Sequence, residues 1–401
     1  MRATAFSTFV LVSLLMFATP AWAQQADPRL SEERRPVGWS ATPRVTTGSA
    51  YDDNVLIQGK GDDLQSDMNT SVTPAGSIDY IGKRASFDAS YSGSVQLYRD
   101  FSSLNSYDQS ENVSGRRQVR PHLLLFAQQS FSKTPSTELP ALSGIPFARV
   151  GARIADVRGG LEATPKKHLS IATSYNFQWI DFDHEPQLGA ALLGGHSNGG
   201  AFGAKYQISQ RTMLTADYDL QLAHLLDGNR FTVQNWWAGG EYQLTENSHV
   251  YGALGISRMY AVDISPAQTS PAWRMGYAKH FESVAFDLNY ARSFVPSFGG
   301  FGTLSNEEVS SNLHLPVSRR GYVEANASWR SNEALVAGDL PGNLPLRSLW
   351  LGAIVGYAAQ PWLRIEGFYG RTQQRIDRPG GDLERNRIGV QVVTAKPMRI
   401  H

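Results

Sequence analysis

The feature that most constrains the fold is an alternation of apolar and polar side chains that returns along nearly the whole chain. Residues 85–98 show it most clearly: Phe87 to Leu97 supply the apolar positions, and serine, aspartate and glutamine fill the positions between them. Successive side chains of a β-strand point to opposite faces, so a period of two predicts strands with one apolar and one polar face. The pattern starts near Thr42. It is repeated at 169–179, 283–290, 321–330 and 387–392.

Short polar turns and longer connections alternate between these runs. The short turns are expected at 82–84, 120–122, 165–167, 209–211, 245–247, 279–282, 318–320 and 360–361. The longer connections, rich in Gly, Ser, Asp and Pro, are expected at 52–66, 133–147, 183–195, 295–305 and 334–345. A soluble β-sandwich gives no reason for this segregation of loop lengths. An outer-membrane barrel does, because its periplasmic turns are short and its outer loops are longer.

The number of short turns predicts the number of strands. Eight inner turns and two inner termini require nine outer loops and about 18 strands, an even number as in single-chain bacterial barrels. Sixteen strands are the alternative, because the strands near Thr42 and Phe231 are weakly marked. The predicted fold is therefore all-β, a transmembrane antiparallel up-and-down β-barrel over residues 42–401. No apolar run is long enough for a membrane-spanning helix after the N-terminal segment.

The N-terminal residues predict export. Arg2 precedes an apolar run at 6–17, and Ala21-Trp22-Ala23 matches an A-x-A cleavage site. We therefore expect residues 1–23 to be a signal peptide, cleaved after Ala23, and the mature chain to reach the cell outer membrane. Residues 24–41 are expected to form a periplasmic leader, either a mobile segment or a docking arm for a partner.

Composition excludes several classes of protein. The chain has no cysteine, so disulfide scaffolds, thiolate metal sites and thiol catalysis are excluded. Lys and Arg number 37 against 36 Asp and Glu, and the net charge of +1 argues against a nucleic-acid partner. The mean hydropathy of −0.30 is compatible with a membrane barrel, because the polar face lines a lumen while the apolar face meets lipid.

The polar positions of the predicted strands supply the candidate pore-lining residues. These are Asp88, Arg116, Arg158, Glu162, Lys205, Asp217, Asp219, Arg274, Asp287, Glu324, Arg330, Arg364, Glu366 and Arg387. Their mixed signs predict a hydrated, weakly charge-selective channel, and any one of them could instead form a structural ion pair on the wall. The lumen-side aromatic candidates are Tyr98, Trp350 and Phe368. No loop is long enough to form a separate plug domain.

Three short motifs have catalytic or metal-binding alternatives. The segment Gly195-His196-Ser197-Asn198-Gly199 matches G-x-S-x-G but leads into a predicted strand, whereas a nucleophile elbow needs a helix after it. His224, at an apolar position, would suit a lipid-modifying barrel enzyme if a serine faced lipid beside it. The acidic pairs Asp52-Asp53 and Asp62-Asp63 could bind calcium or lipopolysaccharide-bridged cations, or form a solvated loop. We expect no enzyme, no cofactor and no metal.

Two short motifs resemble the β-barrel porin 2 type of bacterial outer-membrane proteins. They are Ala50-Tyr51-Asp52-Asp53-Asn54-Val55 at the end of the first strand and Val72-Thr73-Pro74 before the first inner turn. The resemblance covers nearly all of the mature chain. It implies a conduit in surface or exopolysaccharide export that works with periplasmic polysaccharide-export proteins. A passive diffusion porin for small hydrophilic solutes and a lipid-modifying barrel enzyme are the alternatives.

The other expected partners follow from the membrane setting. They are outer-membrane lipid and lipopolysaccharide, together with the barrel-assembly machinery, and no nucleic acid. One departure concerns that machinery, which commonly reads a final aromatic residue. This chain ends on Ile400-His401 instead.

Overall fold

The chain closes on itself as a β-barrel in the computed structural model, which describes residues 37–59, 64–138, 142, 144–183, 192–261, 267–281, 284–299, 302–335, 345–376 and 382–400. The expected signal peptide and residues 24–36 of the expected leader lie outside this part of the chain. Within the described residues, no helix is both long and apolar enough to cross a membrane.

Eighteen long strands form the wall. They are β1 (Gly38–Asp52), β2 (Asp67–Ile81), β3 (Ala85–Tyr98), β4 (Ser106–Arg120), β5 (Leu123–Thr134), β6 (Ala152–Lys166), β7 (Leu169–Phe182), β8 (Gly195–Gln207), β9 (Thr212–Leu225), β10 (Arg230–Thr245), β11 (Ser248–Ala261), β12 (Gln268–Phe281), β13 (Val284–Ser297), β14 (Gly302–Pro316), β15 (Gly321–Ala334), β16 (Leu346–Gln360), β17 (Leu363–Ile376) and β18 (Leu383–Ala395). Each pairs antiparallel with its neighbours in sequence, and β1 pairs with β18, which closes the barrel. The expected fold class and the count of 18 are confirmed.

The seam at which β1 closes the barrel by pairing with the C-terminal strands is longer than the alternation predicts. β1 begins at Gly38, ahead of the expected barrel start at Thr42. After Pro397 a short strand, β19 (Met398–Ile400), pairs with Trp39–Ala41 at the beginning of β1. Three residues are too few to show a period, which is why the sequence pattern gives no sign of β19.

The short turns lie together at one end of the barrel, which the turn lengths assign to the periplasmic side, and the turn between β12 and β13 falls at residues that are not described. The longer connections lie at the other end, with one correction. A loop was expected at 295–305, but β13 and β14 stay paired as far as Ser297 and Gly302. Gly299 has a φ of 89°, which allows the chain to reverse there within a few residues.

The two faces of the strands separate apolar from polar side chains. In each strand, the apolar residues at every second position face outward and are exposed around the whole barrel. Leu254, Val355 and Tyr175, for example, are 74%, 60% and 54% exposed. A strand-built span needs a closed ladder so that no backbone group is left without a partner in hydrocarbon. The closed ladder and the outward apolar belt together place this protein in the outer membrane.

An arginine placed at the middle of the outward apolar belt should therefore destabilise the folded barrel. Leu254 lies at the centre of β11 and faces outward. We expect Leu254→Arg to lower the unfolding free energy in bilayers by about 2–4 kcal/mol. The control is Ser90→Arg, at the centre of β3 on the inward face, where we expect a much smaller change. Equal losses in the two variants, measured by denaturant titration, would contradict the assignment of the faces.

Candidate permeation site

The expected pore-lining residues all occupy the face opposite the apolar belt. None of these side chains is exposed, whereas the apolar residues at the other parity are. They lie as follows: Asp88 on β3, Arg116 on β4, Arg158 and Glu162 on β6, Lys205 on β8, Asp217 and Asp219 on β9, Arg274 on β12, Asp287 on β13, Glu324 and Arg330 on β15, Arg364 and Glu366 on β17, and Arg387 on β18. That they line an open path stays a prediction.

Many of these charges are paired along the inner wall. Lys205 Nζ lies 3.3 Å from Glu241 Oε1, and Arg330 Nη2 lies 2.7 Å from Glu308 Oε2. Further pairs join Arg274 to Asp217, Arg364 to Glu366, His280 to Asp287, and His314 to Glu324. Glu241 and Glu308 were not among the sequence candidates, although their inward parity could have identified them. The pairing reduces the net field that a passing ion meets.

The described part of the connection between β5 and β6, residues 135–138, 142 and 144–151, runs across the interior, and the connection 135–151 is called the crossing segment here. β5 and β6 pair with each other and with β4 and β7, not with β16, β17 or β18. Yet Glu138 in this segment meets all three of those remote strands. Trp350 Nε1 donates to the Glu138 carbonyl at 3.2 Å, Thr372 Oγ1 donates to Glu138 Oε1 at 2.9 Å, and Arg385 pairs with the same carboxylate.

A second set of contacts holds the crossing segment against the same wall. The Phe147 amide donates to Gln374 Oε1 at 2.8 Å, and Gln374 Nε2 donates to the Ile145 carbonyl at 3.3 Å. The Phe147 and Trp350 rings meet edge to face, with centroids 5.2 Å apart. Trp350 is therefore 1% exposed, although its parity places it on the lumen side.

An ionic cluster ties the crossing segment to the barrel seam. Its members, called the ionic latch, are Asp52, Glu138, Arg149 and Arg385. Arg385 Nε donates to Asp52 Oδ1 at 2.9 Å and also pairs with Glu138, while Arg149 Nη2 donates to the Tyr98 hydroxyl at 2.9 Å. Asp52 is fully buried. Sequence reasoning missed Arg385, although it shares the inward parity of Arg387.

The acidic first loop differs from expectation in the part that is described. Asp52 belongs to β1 and is held by Arg385, and Asp53 accepts hydrogen bonds from the backbone and side-chain nitrogens of Asn386 at 2.6 and 2.7 Å. These two carboxylates therefore join β1 to β18 at the seam and do not belong to a solvated loop. Asp62 and Asp63 lie outside the described residues. In the described part of the chain, no three His, Cys, Asp or Glu side chains gather as a metal site would require.

The opposite side of the outer lumen is filled by apolar side chains. Beyond Arg292, β13 no longer pairs with β12, and its end packs inside the wall over β10 and β11. Phe294 is bonded there, its amide donating to Ser257 Oγ at 3.2 Å. The resulting cluster includes Leu142, Ile145 and Val150 of the crossing segment, Phe294 and Phe298, and wall residues such as Ile180, Phe231 and Met259.

The crossing segment and the β13–β14 hairpin meet at a glycine. Gly144 has a φ of 72°, and a β-carbon there would lie 1.9 Å from Leu304 Cδ1. A larger residue at this position would be strained by the positive φ and would displace the Leu304 side chain. The sequence predicts no separate plug domain, but it does not predict that two wall-attached segments fold inward at the outer end, as the described residues do.

The catalytic alternatives find no support in the described geometry. Ser197 lies in β8 on the inward face and is 2% exposed, so it is not the exposed serine of a strand-to-helix elbow. His224 faces outward, and its neighbours are His196, stacked on it at 4.9 Å, and Arg230 in register on β10. That the chain is not an enzyme stays a prediction.

The fold and the polar inward face define a closed 18-stranded β-barrel of the outer membrane. No protein-family model and no curated protein matches the sequence. Similar solved structures include OpdQ of Pseudomonas aeruginosa (9% identity, TM-score 0.46, 90% of this chain and 98% of that chain covered). OccAB3 of Acinetobacter baumannii has 11% identity and a TM-score of 0.45, with 89% of this chain and 99% of that chain covered. The outer membrane protein OpdK of Pseudomonas aeruginosa has 12% identity and a TM-score of 0.44, with 89% of this chain and 99% of that chain covered. Similarities of this size do not identify a solute.

Proposed function

We propose that the protein is a passive diffusion channel for small hydrophilic solutes. The observation that carries the proposal is the crossing segment, fixed to the remote wall by Glu138 and by Gln374 inside a barrel with a polar inward face. A barrel of this strand number encloses water unless something fills it. The polar wall admits hydrated solutes, and the crossing segment limits their size.

The same observation makes polysaccharide export the weaker interpretation. A polymer needs a continuous wide path, and the crossing segment would have to release Arg385, Thr372 and Gln374 to provide one. Sugars are commonly gripped by exposed aromatic faces, yet Tyr98 and Trp350 are 5% and 1% exposed beneath the crossing segment. The narrower resemblance to the β-barrel porin 2 type, with its exopolysaccharide role and periplasmic partners, stays a prediction.

Further inward aromatic residues add to the three that sequence reasoning nominated. Phe126, Trp237, Tyr251 and Tyr322 share the lumen parity. Two of these rings contact polar side chains of the barrel wall. Arg274 Cζ lies 4.9 Å from the centre of the Trp237 ring, and the Tyr251 hydroxyl donates to Asn289 Oδ1 at 2.9 Å. These rings therefore serve the packing of charged and amide side chains, which agrees with a channel that has no single preferred sugar.

Liposome swelling tests the proposed function. Purified protein in liposomes should admit monosaccharides fastest, larger oligosaccharides progressively more slowly, and a soluble polysaccharide not at all, because the crossing segment stays in place. In planar bilayers the reversal potential in a salt gradient should be small, because many wall charges are paired. Protein-free liposomes are the control. Rapid polysaccharide entry, or a sealed barrel without conductance, would overturn the proposal.

A further inference from the structure

Four basic side chains form a patch on the outside of the barrel at its outer end. We call His196 of β8, His224 of β9, Arg230 of β10 and Arg258 of β11 the rim patch. His196, His224 and Arg230 follow one another in direct register across three neighbouring strands, and Arg258 is in register with Gln234, four residues along β10 from Arg230. The two imidazole rings stack with centroids 4.9 Å apart, and Arg258 Cζ lies 4.5 Å from the centre of the Tyr260 ring.

The rim patch adjoins the apolar belt on the lipid-facing parity. His224 follows Leu214 and Leu222 along β9, which are 49% and 40% exposed. Arg258 follows Leu254 and Ile256 along β11 in the same way, at 74% and 52%. The connection between β9 and β10 is one of the outer ones, so the patch lies on the outer-leaflet side. A ligand at this place contacts both the basic groups and hydrocarbon.

The two arginines of the rim patch differ from other basic residues at the same rim because no ion pair joins them to an acidic side chain in the described part of the chain. Arg153 lies 3.4 Å from Asp181 and 3.1 Å from Asp183, and Arg371 lies 2.7 Å from Glu384. No described carboxylate lies within ion-pair distance of Arg230 or Arg258, and His224 Nδ1 is shielded from solvent without a hydrogen-bond partner. Among the described residues, Arg230 and Arg258 are therefore guanidinium groups beside lipid that have no ion-pair partner.

We propose that the rim patch binds the phosphate groups of lipopolysaccharide. Guanidinium groups match phosphate oxygens in charge and in bidentate geometry, and these hydrogen bonds are stronger than neutral ones. The outward apolar side chains below the patch would contact the acyl chains of the same molecule. A free anion would gain only the polar half of this arrangement, so the amphiphilic glycolipid is the occupant that the surface fits.

The test uses the full-length protein in detergent micelles, titrated with purified lipopolysaccharide. We expect Arg230→Gln combined with Arg258→Gln to weaken binding about tenfold or more, since each lost charge-assisted contact is substantial. The matched control is Arg153→Gln, a basic residue of the same rim that already has acidic partners. It should bind as the unaltered protein does.

A second arm separates phosphate recognition from general lipid contact. Lipopolysaccharide stripped of its phosphates should bind the unaltered protein as weakly as the double variant binds the phosphorylated form. The folded state of each variant is checked by its unchanged conductance. Equal affinity for both glycolipids, an unaltered affinity of the double variant, or an equal loss in the Arg153→Gln control would each overturn the proposal.

Discussion

Shortening the crossing segment should raise the single-channel conductance several-fold. Thr134 and Ala152 are register partners at the outer end of β5 and β6, so a Gly/Ser turn of about four residues in place of 135–151 can close this hairpin. The replacement removes Glu138, Arg149 and Phe147 from the interior together with their contacts to the far wall. The wall strands keep their own ladders, and the barrel should still form.

Conductance and solute size measure this effect together. The shortened variant should admit oligosaccharides that the unaltered protein excludes, because the removed segment is what limits the path. The control replaces 226–229, the exposed connection between β9 and β10 at the same end, with a Gly/Ser sequence of equal length. That control should leave conductance unchanged. An unchanged conductance in the shortened variant would show that permeation is limited elsewhere.

Removing the charge of Arg385 should destabilise the barrel by about 3–5 kcal/mol, because the buried carboxylates of Asp52 and Glu138 lose their nearest cation. Arg385 is 4% exposed and Asp52 is fully buried, so water cannot easily replace the lost partner. Glu138 loses the same cation, which loosens the crossing segment as well. We expect Arg385→Met to show the loss as a lower denaturant midpoint in lipid vesicles.

Two further variants separate charge burial from lost packing. Combining Arg385→Gln with Asp52→Asn and Glu138→Gln removes the charge of Arg385 and of both its carboxylate partners, and should recover much of the stability. Arg153→Gln breaks an exposed pair, Arg153 being 45% exposed, and should change stability by about 1 kcal/mol or less. If Arg385→Met costs no more than Arg153→Gln, the ionic latch has no structural role.

The wall of the barrel could be predicted from the sequence because its rules are local. Alternation assigns each side chain to a face from its immediate neighbours alone, which is why one rule assigns Asp88 and Arg387, on different strands, to the inward face. The short turns, such as 82–84, follow from residues next to each other. Strand number then follows from counting. β19 and the tight reversal at Gly299 could not be predicted, because each involves too few residues to form a pattern.

The interior of the outer end could not be predicted, because remote contacts decide it. Nothing near Glu138 indicates that its partner is Arg385, and a loop of this length could equally project into solvent. Apolar residues such as Ile145 and Phe298 lack a strand period and acquire a common environment only when two segments fold inward. The sequence by itself determined a closed barrel with a polar lumen. Only the tertiary structure decided that this lumen is crossed, since the direction of a loop depends on what its side chains meet on the far wall.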